Sequence, residues 1–183
     1  MKKIIYFIEF LLVEFLFVIF KIIGYKSASN LGFFIGKNFG NFFRKKKSII
    51  QNLHKSKITI NISDNQFVDN VLGNYGRILA EYPFLKDFRK KKLEQFIKID
   101  GTENLNKIKK NNKPVVFISG HFNNFELMAM QIEKNGINLA AIYRPLNNVF
   151  LNKTMEQIRT KYICKNQIRK GRSGTRQILE NLK

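Results

Sequence analysis

Between Pro114 and Pro145 the chain carries the pattern of a β-α-β unit, and this stretch limits the possible folds more than any other. Pro114 opens the run Val115-Val116-Phe117-Ile118, which reads as a buried strand. The run ends at Ser119-Gly120-His121. A helical pattern follows from Asn124 to Lys134, and Asn135-Gly136 supplies its stop. A second strand, Leu139 to Tyr143, ends at Arg144-Pro145. Such a unit implies two parallel strands joined by a right-handed crossover. The expected fold is therefore α/β, with a mixed, mainly parallel sheet flanked by helices. Ligands of such sheets bind outside the carboxyl ends of the strands, where His121 and Arg144 fall.

Other elements can be read around this unit. Phe67 to Ala80 places Phe67, Val68, Val71, Leu72, Tyr75, Ile78 and Leu79 at helical spacing. Glu103 to Lys110 reads as a helix, Ser56 to Asn65 as a loop, and Phe96 to Ile99 as a short strand closed by Asp100-Gly101. In Leu31 to Phe43 the glycines Gly32, Gly36 and Gly40 recur every fourth position, so on a helix they share one side. That stripe permits close approach of another helix, as core packing or at a membrane surface. The length of 183 residues suits one domain, and a hydrophobic share of 44% is enough for a core.

Ile4 to Ile23 is apolar almost throughout and has about the length that a helix needs to cross a bilayer. Glu9, Glu14 and Lys21 interrupt it, and each charge at a bilayer centre costs roughly 2.5–3.5 kcal/mol on insertion scales. Residues 1–25 are accordingly expected to form a helix that either spans the membrane or lies in its interface, and residues 26–183 the remaining domain. Ser27-Ala28-Ser29 resembles a signal-peptide cleavage site, but the long apolar stretch with two glutamates argues against removal. The net charge is +20, clustered in Arg44-Lys45-Lys46-Lys47, in Arg89-Lys90-Lys91-Lys92 and between Lys161 and Arg176. A charge of that size attracts anionic lipid or another polyanion. A composition biased towards Lys, Asn, Ile and Phe accounts for part of it equally well. No nucleic-acid motif appears, so no nucleic-acid partner is expected. One cysteine, Cys164, and two widely spaced histidines make neither a disulfide nor a metal-ligand set, and no cofactor motif is present.

The chemistry-bearing pair is His121 and Glu126. The spacing His-x-x-x-x-Glu lets the chain turn back so that the carboxylate reaches the imidazole. A carboxylate partner fixes the imidazole tautomer and favours its cation, as a general base for a hydroxyl requires. Asn123-x-x-Glu126 is equally a capping box with Asn at the cap, and both readings stand on the residues alone.

Gly-His-Phe-Asn-Asn-Phe-Glu, residues 120–126, resembles the signature of the lipid A biosynthesis acyltransferases (the lauroyl and myristoyl transferases), within the lysophospholipid acyltransferase superfamily. Tyr143-Arg144-Pro145 is similar to that family's second motif, the stretch Arg44 to Leu53 to its basic segment ending in Asn-Leu, and Ile168-Arg169-Lys170-Gly171 to a third block. The resemblance implies a glycerolipid acyltransferase-like fold in a bacterial inner-membrane enzyme whose catalytic domain is on the cytoplasmic face. It also implies an N-terminal fragment, with the C-terminal part of the fold lying beyond Lys183. Its reaction is transfer of a fatty acyl chain from acyl carrier protein to a hydroxyl of a lipid A precursor. By the same resemblance His121 is the base and Glu126 its orienter. Phe122, Asn123, Asn124, Tyr143, Arg144, Pro145, Arg159, Arg169, Lys170 and Gly171 are the residues that meet the acceptor. The expected partners are thus the loaded carrier protein, the lipid A precursor and membrane lipids, with no cofactor and no metal. Other readings are an acyltransferase acting on another glycolipid or a glycerophospholipid, and a non-catalytic basic protein bound to membrane or nucleic acid.

Overall fold

A computed structural model describes residues 2–182. Met1 and Lys183, the outer ends of the two expected segments, lie outside the described residues. The chain divides into two compact units: a helical one, Phe15–Phe84, and an α/β one made of Met1–Glu14 and Leu85–Lys183. Helix α1 (Lys2–Ile23) contributes residues to both.

The helical unit is built from α2 (Tyr25–Phe39), α3 (Lys46–Ser56) and α4 (Asp64–Glu81). Ser63 starts α4 by accepting a hydrogen bond from the Gln66 amide at 3.2 Å, as an N-cap serine does. The glycine stripe of α2 meets a matching set on α4: Gly32 lies against Ala80 and Gly76, Gly36 against Gly76 and Leu72, and Gly40 against Leu72. Rising numbers on α2 meet falling numbers on α4, so the two helices run antiparallel. A methyl group at Gly76 would collide with the Gly32 carbonyl, so backbone touches backbone here. Of the two roles open to the stripe, helix packing is the one the structure uses. Ile49 of α3 closes the far end of this unit in a cluster with Val68 and Leu72.

The same unit buries a carboxylate. Glu81 is 5% exposed and accepts hydrogen bonds from the Ser29 hydroxyl at 2.7 Å and the Tyr25 hydroxyl at 3.4 Å. Burial first, and then the nearby Glu81 charge, pushes the Tyr25 phenol up to about 12.

The α/β unit contains α5 (Leu85–Arg89), α6 (Thr102–Asn111), α7 (Glu126–Lys134), β1 (Ala140–Tyr143), α8 (Val149–Tyr162), β2 (Asn166–Arg169) and α9 (Arg172–Asn181). Strands β1 and β2 pair in parallel, from Ala140 opposite Asn166 to Tyr143 opposite Arg169. Helix α8 is their crossover, which makes β1-α8-β2 the β-α-β unit of the structure. Leu85, Phe88, Met130, Ile163 and Ile168 fill the core beneath it. Gly174 lets α9 start close to the end of β2, where a side chain would strike the Arg169 carbonyl. Asn148 caps α8 by accepting from the Phe150 and Leu151 amides at 3.1 and 3.2 Å. Its amide nitrogen donates to the Tyr6 carbonyl at 2.8 Å and to Glu9 at 2.9 Å, so Glu9 of α1 is a structural partner.

Three expectations need correction. The run Val115–Ile118 forms no strand: residues 113–122 carry no regular element, and Val116 and Ile118 are 69% and 93% exposed. A strand is completed by a neighbour that takes up its backbone groups, and the only sheet among the described residues is the pair β1–β2. The sheet is therefore parallel as expected, but it is formed by 140–143 with 166–169. Phe96–Ile99 likewise has no partner: Phe96 ends a 3₁₀ turn (Glu94–Phe96), and an extended segment follows. The expected membrane-spanning helix is also not supported. Residues 2–23 are helical, but among the described residues no helix is long and apolar enough to cross a membrane. Glu9, Glu14 and Lys21 set that limit, and Phe17 and Phe20 are buried in protein.

Candidate active site

The loop before α7 holds His121. Gly120 lies under the Phe122 ring, where a Cβ would not fit, and Asn123 turns the chain with a left-handed φ of 45°. The amides of Phe125 and Leu127 turn back to the carbonyls of Asn123 and Asn124, at 3.0 and 3.1 Å. The N-cap of α7 is Phe125, with no side-chain cap bond, so the capping-box reading of Asn123 and Glu126 does not hold. A helix that starts at Glu126 places this carboxylate at its positive end.

His121 and Glu126 face different partners. The imidazole is exposed and stacks on Phe125, with ring centroids 4.1 Å apart and planes 15° apart. The Glu126 carboxylate is buried, and Arg159 of α8 grips its Oε1 through two donors, Nε at 2.8 Å and Nη2 at 2.6 Å. Removing one member of a buried pair of this kind costs about 3–5 kcal/mol, because the other charge is left without compensation.

Arg159 also lies over the Tyr143 ring, its guanidinium carbon 5.9 Å from the centroid. The Tyr143 hydroxyl donates to Glu156, one turn before Arg159 on α8. Arg169 of β2 completes the set: its Nε donates to Tyr143 at 3.0 Å, and Nε and Nη2 fork onto the two Glu156 oxygens at 3.1 and 3.0 Å. Burial tends to raise the Glu156 carboxyl, but the bonds from Tyr143 and Arg169 outweigh it and hold it below the usual carboxylate range. Burial, followed by the bond to Glu156, raises the Tyr143 phenol. Its hydrogen bonds to Tyr143 and then to Glu156 keep Arg169 more firmly protonated.

The structure thus brings together Glu126, Arg159, Tyr143 and Arg169 of the predicted residues, and adds Glu156. Sequence reasoning missed Glu156, which resembles a solvent-facing helical glutamate; its signal is the position three residues before Arg159. Arg144, Lys170 and Gly171 lie just past the carboxyl ends of β1 and β2, all exposed, and Pro145 is half-buried. The Lys170 amide donates to the Tyr143 carbonyl at 2.8 Å, which extends the pairing of the two strands by one bond. Phe122 is 83% exposed beside His121. Among the described residues no cluster of three His, Cys, Asp or Glu could hold a metal ion.

An exposed imidazole, a buried acid and a basic rim at two parallel strand ends make up the candidate site. The family model described as bacterial lipid A biosynthesis acyltransferase matches residues 1–183. By class the protein is an acyltransferase. More specifically, the chain belongs to the bacterial lipid A biosynthesis acyltransferase family, whose reaction calls for an acyl donor and a lipid A-type acceptor. No curated protein and no solved structure matches it.

Proposed function

We propose that the protein transfers a fatty acyl chain from acyl carrier protein to a hydroxyl of a lipid A precursor, with His121 as general base. The observation that carries this is the exposed imidazole, five residues ahead of a buried carboxylate whose rotamer Arg159 fixes. In this reading Glu126 becomes the partner of the ring once it turns from Phe125, selecting its tautomer and favouring its cation. The acceptor oxygen then attacks the thioester carbon directly: a C–O bond forms, the C–S bond breaks, and His121 passes the hydroxyl proton to the departing thiolate. Backbone amides near Asn123 and Asn124, ahead of α7, receive the developing oxyanion in this mechanism. Arg144, Lys170 and the Gly171 backbone meet the acceptor's anionic groups beyond the strand ends, and Phe122 and Pro145 its apolar part.

The proposed location is the cytoplasmic face of a bacterial inner membrane, with α1 lying in the interface. Ile4, Ile8, Leu11, Phe15, Val18 and Ile22 support it: they are exposed and spaced alternately four and three apart, which makes one apolar stripe along the helix. The test is acyl transfer from a fatty acyl-carrier-protein thioester to a phosphorylated, acylated glucosamine disaccharide. His121→Ala is expected to lower the rate roughly 10²–10⁴-fold. Undiminished transfer by that variant removes the proposal.

A further inference from the structure

Helix α2 is joined to α3 through the 3₁₀ turn Gly40–Phe42 and the start of the basic run Arg44 to Lys47. This connection turns two large rings to solvent: Phe42 is 86% exposed and Phe43 91%. Folding normally buries phenylalanine, and α4 is close by, since Gly40 packs on Leu72. An ordered backbone nevertheless holds the rings outward. The Phe43 and Arg44 amides both donate to the Gly40 carbonyl at 3.0 Å, and the Lys46 amide donates to the Asn41 side chain at 3.2 Å. Arg44 ties the turn to α4: its Nη1 donates to the Tyr75 hydroxyl at 3.4 Å, and its guanidinium carbon lies 5.7 Å from that ring's centroid.

The charge around the rings has one sign. Between Glu14 and Asp64 the chain contains no acidic residue. The acids of the helical unit are Asp64, Asp69 and Glu81, and each is engaged. Asp64 pairs with His54 at 2.9 Å, Asp69 with Lys46 at 3.6 Å, and Glu81 is buried against Ser29. Lys45 and Lys47, which follow the rings in the chain, are exposed.

We propose that this turn is a lipid-binding point separate from α1. Phe42 and Phe43 enter the boundary between headgroups and acyl chains of an anionic bilayer, and Lys45 and Lys47 meet the lipid phosphates. A second copy of the chain would bring like charges together at this surface. Duplex nucleic acid would satisfy the lysines and leave both rings in water. The proposal does not depend on the reaction, so acyl transfer and the placement of α1 stand or fall separately.

The chain has no tryptophan, so Phe43→Trp puts a single fluorescent reporter in the turn. The probe is vesicles of phosphatidylcholine with about one-third phosphatidylglycerol, added to the whole protein. The emission is expected to move to shorter wavelength and to be quenched by lipid brominated in its acyl chains. In sedimentation with the same vesicles, Phe42→Ser/Phe43→Ser should lower partitioning about tenfold or more. Lys45→Gln/Lys47→Gln should do so by a similar factor, and leave any binding to pure phosphatidylcholine unchanged. All four side chains are in solvent, so the urea midpoints of both variants should match the wild type.

A protein that sediments with the vesicles while its reporter keeps the emission of an indole in water overturns the proposal and leaves α1 as the lipid contact. A shift to shorter wavelength that grows with protein concentration in the absence of lipid also overturns it, in favour of a second copy. So does salt-sensitive binding to duplex DNA by a protein whose reporter ignores vesicles. If the chain does not sediment with the vesicles at all, this contact and that of α1 both fall.

Discussion

The helical unit and the α/β unit respond differently to the same kind of sequence signal. In Phe15–Phe84 the helical periodicity and the glycine stripe became structure nearly residue for residue: the pattern at 67–80 lies inside α4, and Gly32, Gly36 and Gly40 all pack against it. In the other unit the most apolar run, Val115–Ile118, stayed out of the sheet, while the polar run Asn-Gln-Ile-Arg at 166–169 entered it. A helix satisfies its own backbone, so local pattern decides it. A strand is finished by a partner, so an apolar run is only an offer, and a polar one is accepted where an edge and one buried side chain such as Ile168 are available.

This contrast can be broken in several places. Gly76→Leu should have the largest effect, since any Cβ there meets the α2 backbone; a loss of about 3 kcal/mol or more is expected in urea unfolding. A loss under 1 kcal/mol would show that α2 and α4 do not pack through their glycines. Ile168→Ala should cost about 2–4 kcal/mol by the same measurement, because this residue anchors β2 in the core at 3% exposure. The helical unit should also respond to alkali. The Tyr25 phenol has a folded pKa of about 12, above its unfolded value near 10. Its contribution is therefore complete below pH ~10 and lost as pH rises towards 12. A pH series of unfolding midpoints should show this decline in the wild type and a smaller one in Tyr25→Phe; equal declines would rule out Tyr25 as the source. Ile118→Thr should have the smallest effect, within about 0.5 kcal/mol, because the side chain is in solvent. A drop above 1 kcal/mol would mean that the 115–118 segment is paired after all.

The site divides along the same line. His121, Glu126, Tyr143 and Arg144 stand out in sequence because they sit in short motifs next to readable elements. The helix reading for 103–110 and the strand reading for 139–143 also match α6 and β1. The links between the motifs were not legible. Glu126 and Arg159 are 33 positions apart, and nothing local in either helix announces that they meet. Tyr143 and Arg169 come together only because β1 and β2 pair in one particular register. Charge at those positions was visible, but its commitment to other protein groups was not, so Arg159 and Arg169 read as free cations.

Asn148 adds a consequence for how the chain assembles. It holds the Tyr6 carbonyl and the Glu9 side chain across separations of 142 and 139 positions. On the ribosome, Tyr6 and Glu9 must therefore wait until residue 148 has been made before this partner arrives. Helix α1 can coil early, because its own bonds are local, but its amino-terminal half docks late. Until then its apolar stripe is open to whatever surface the nascent chain meets first.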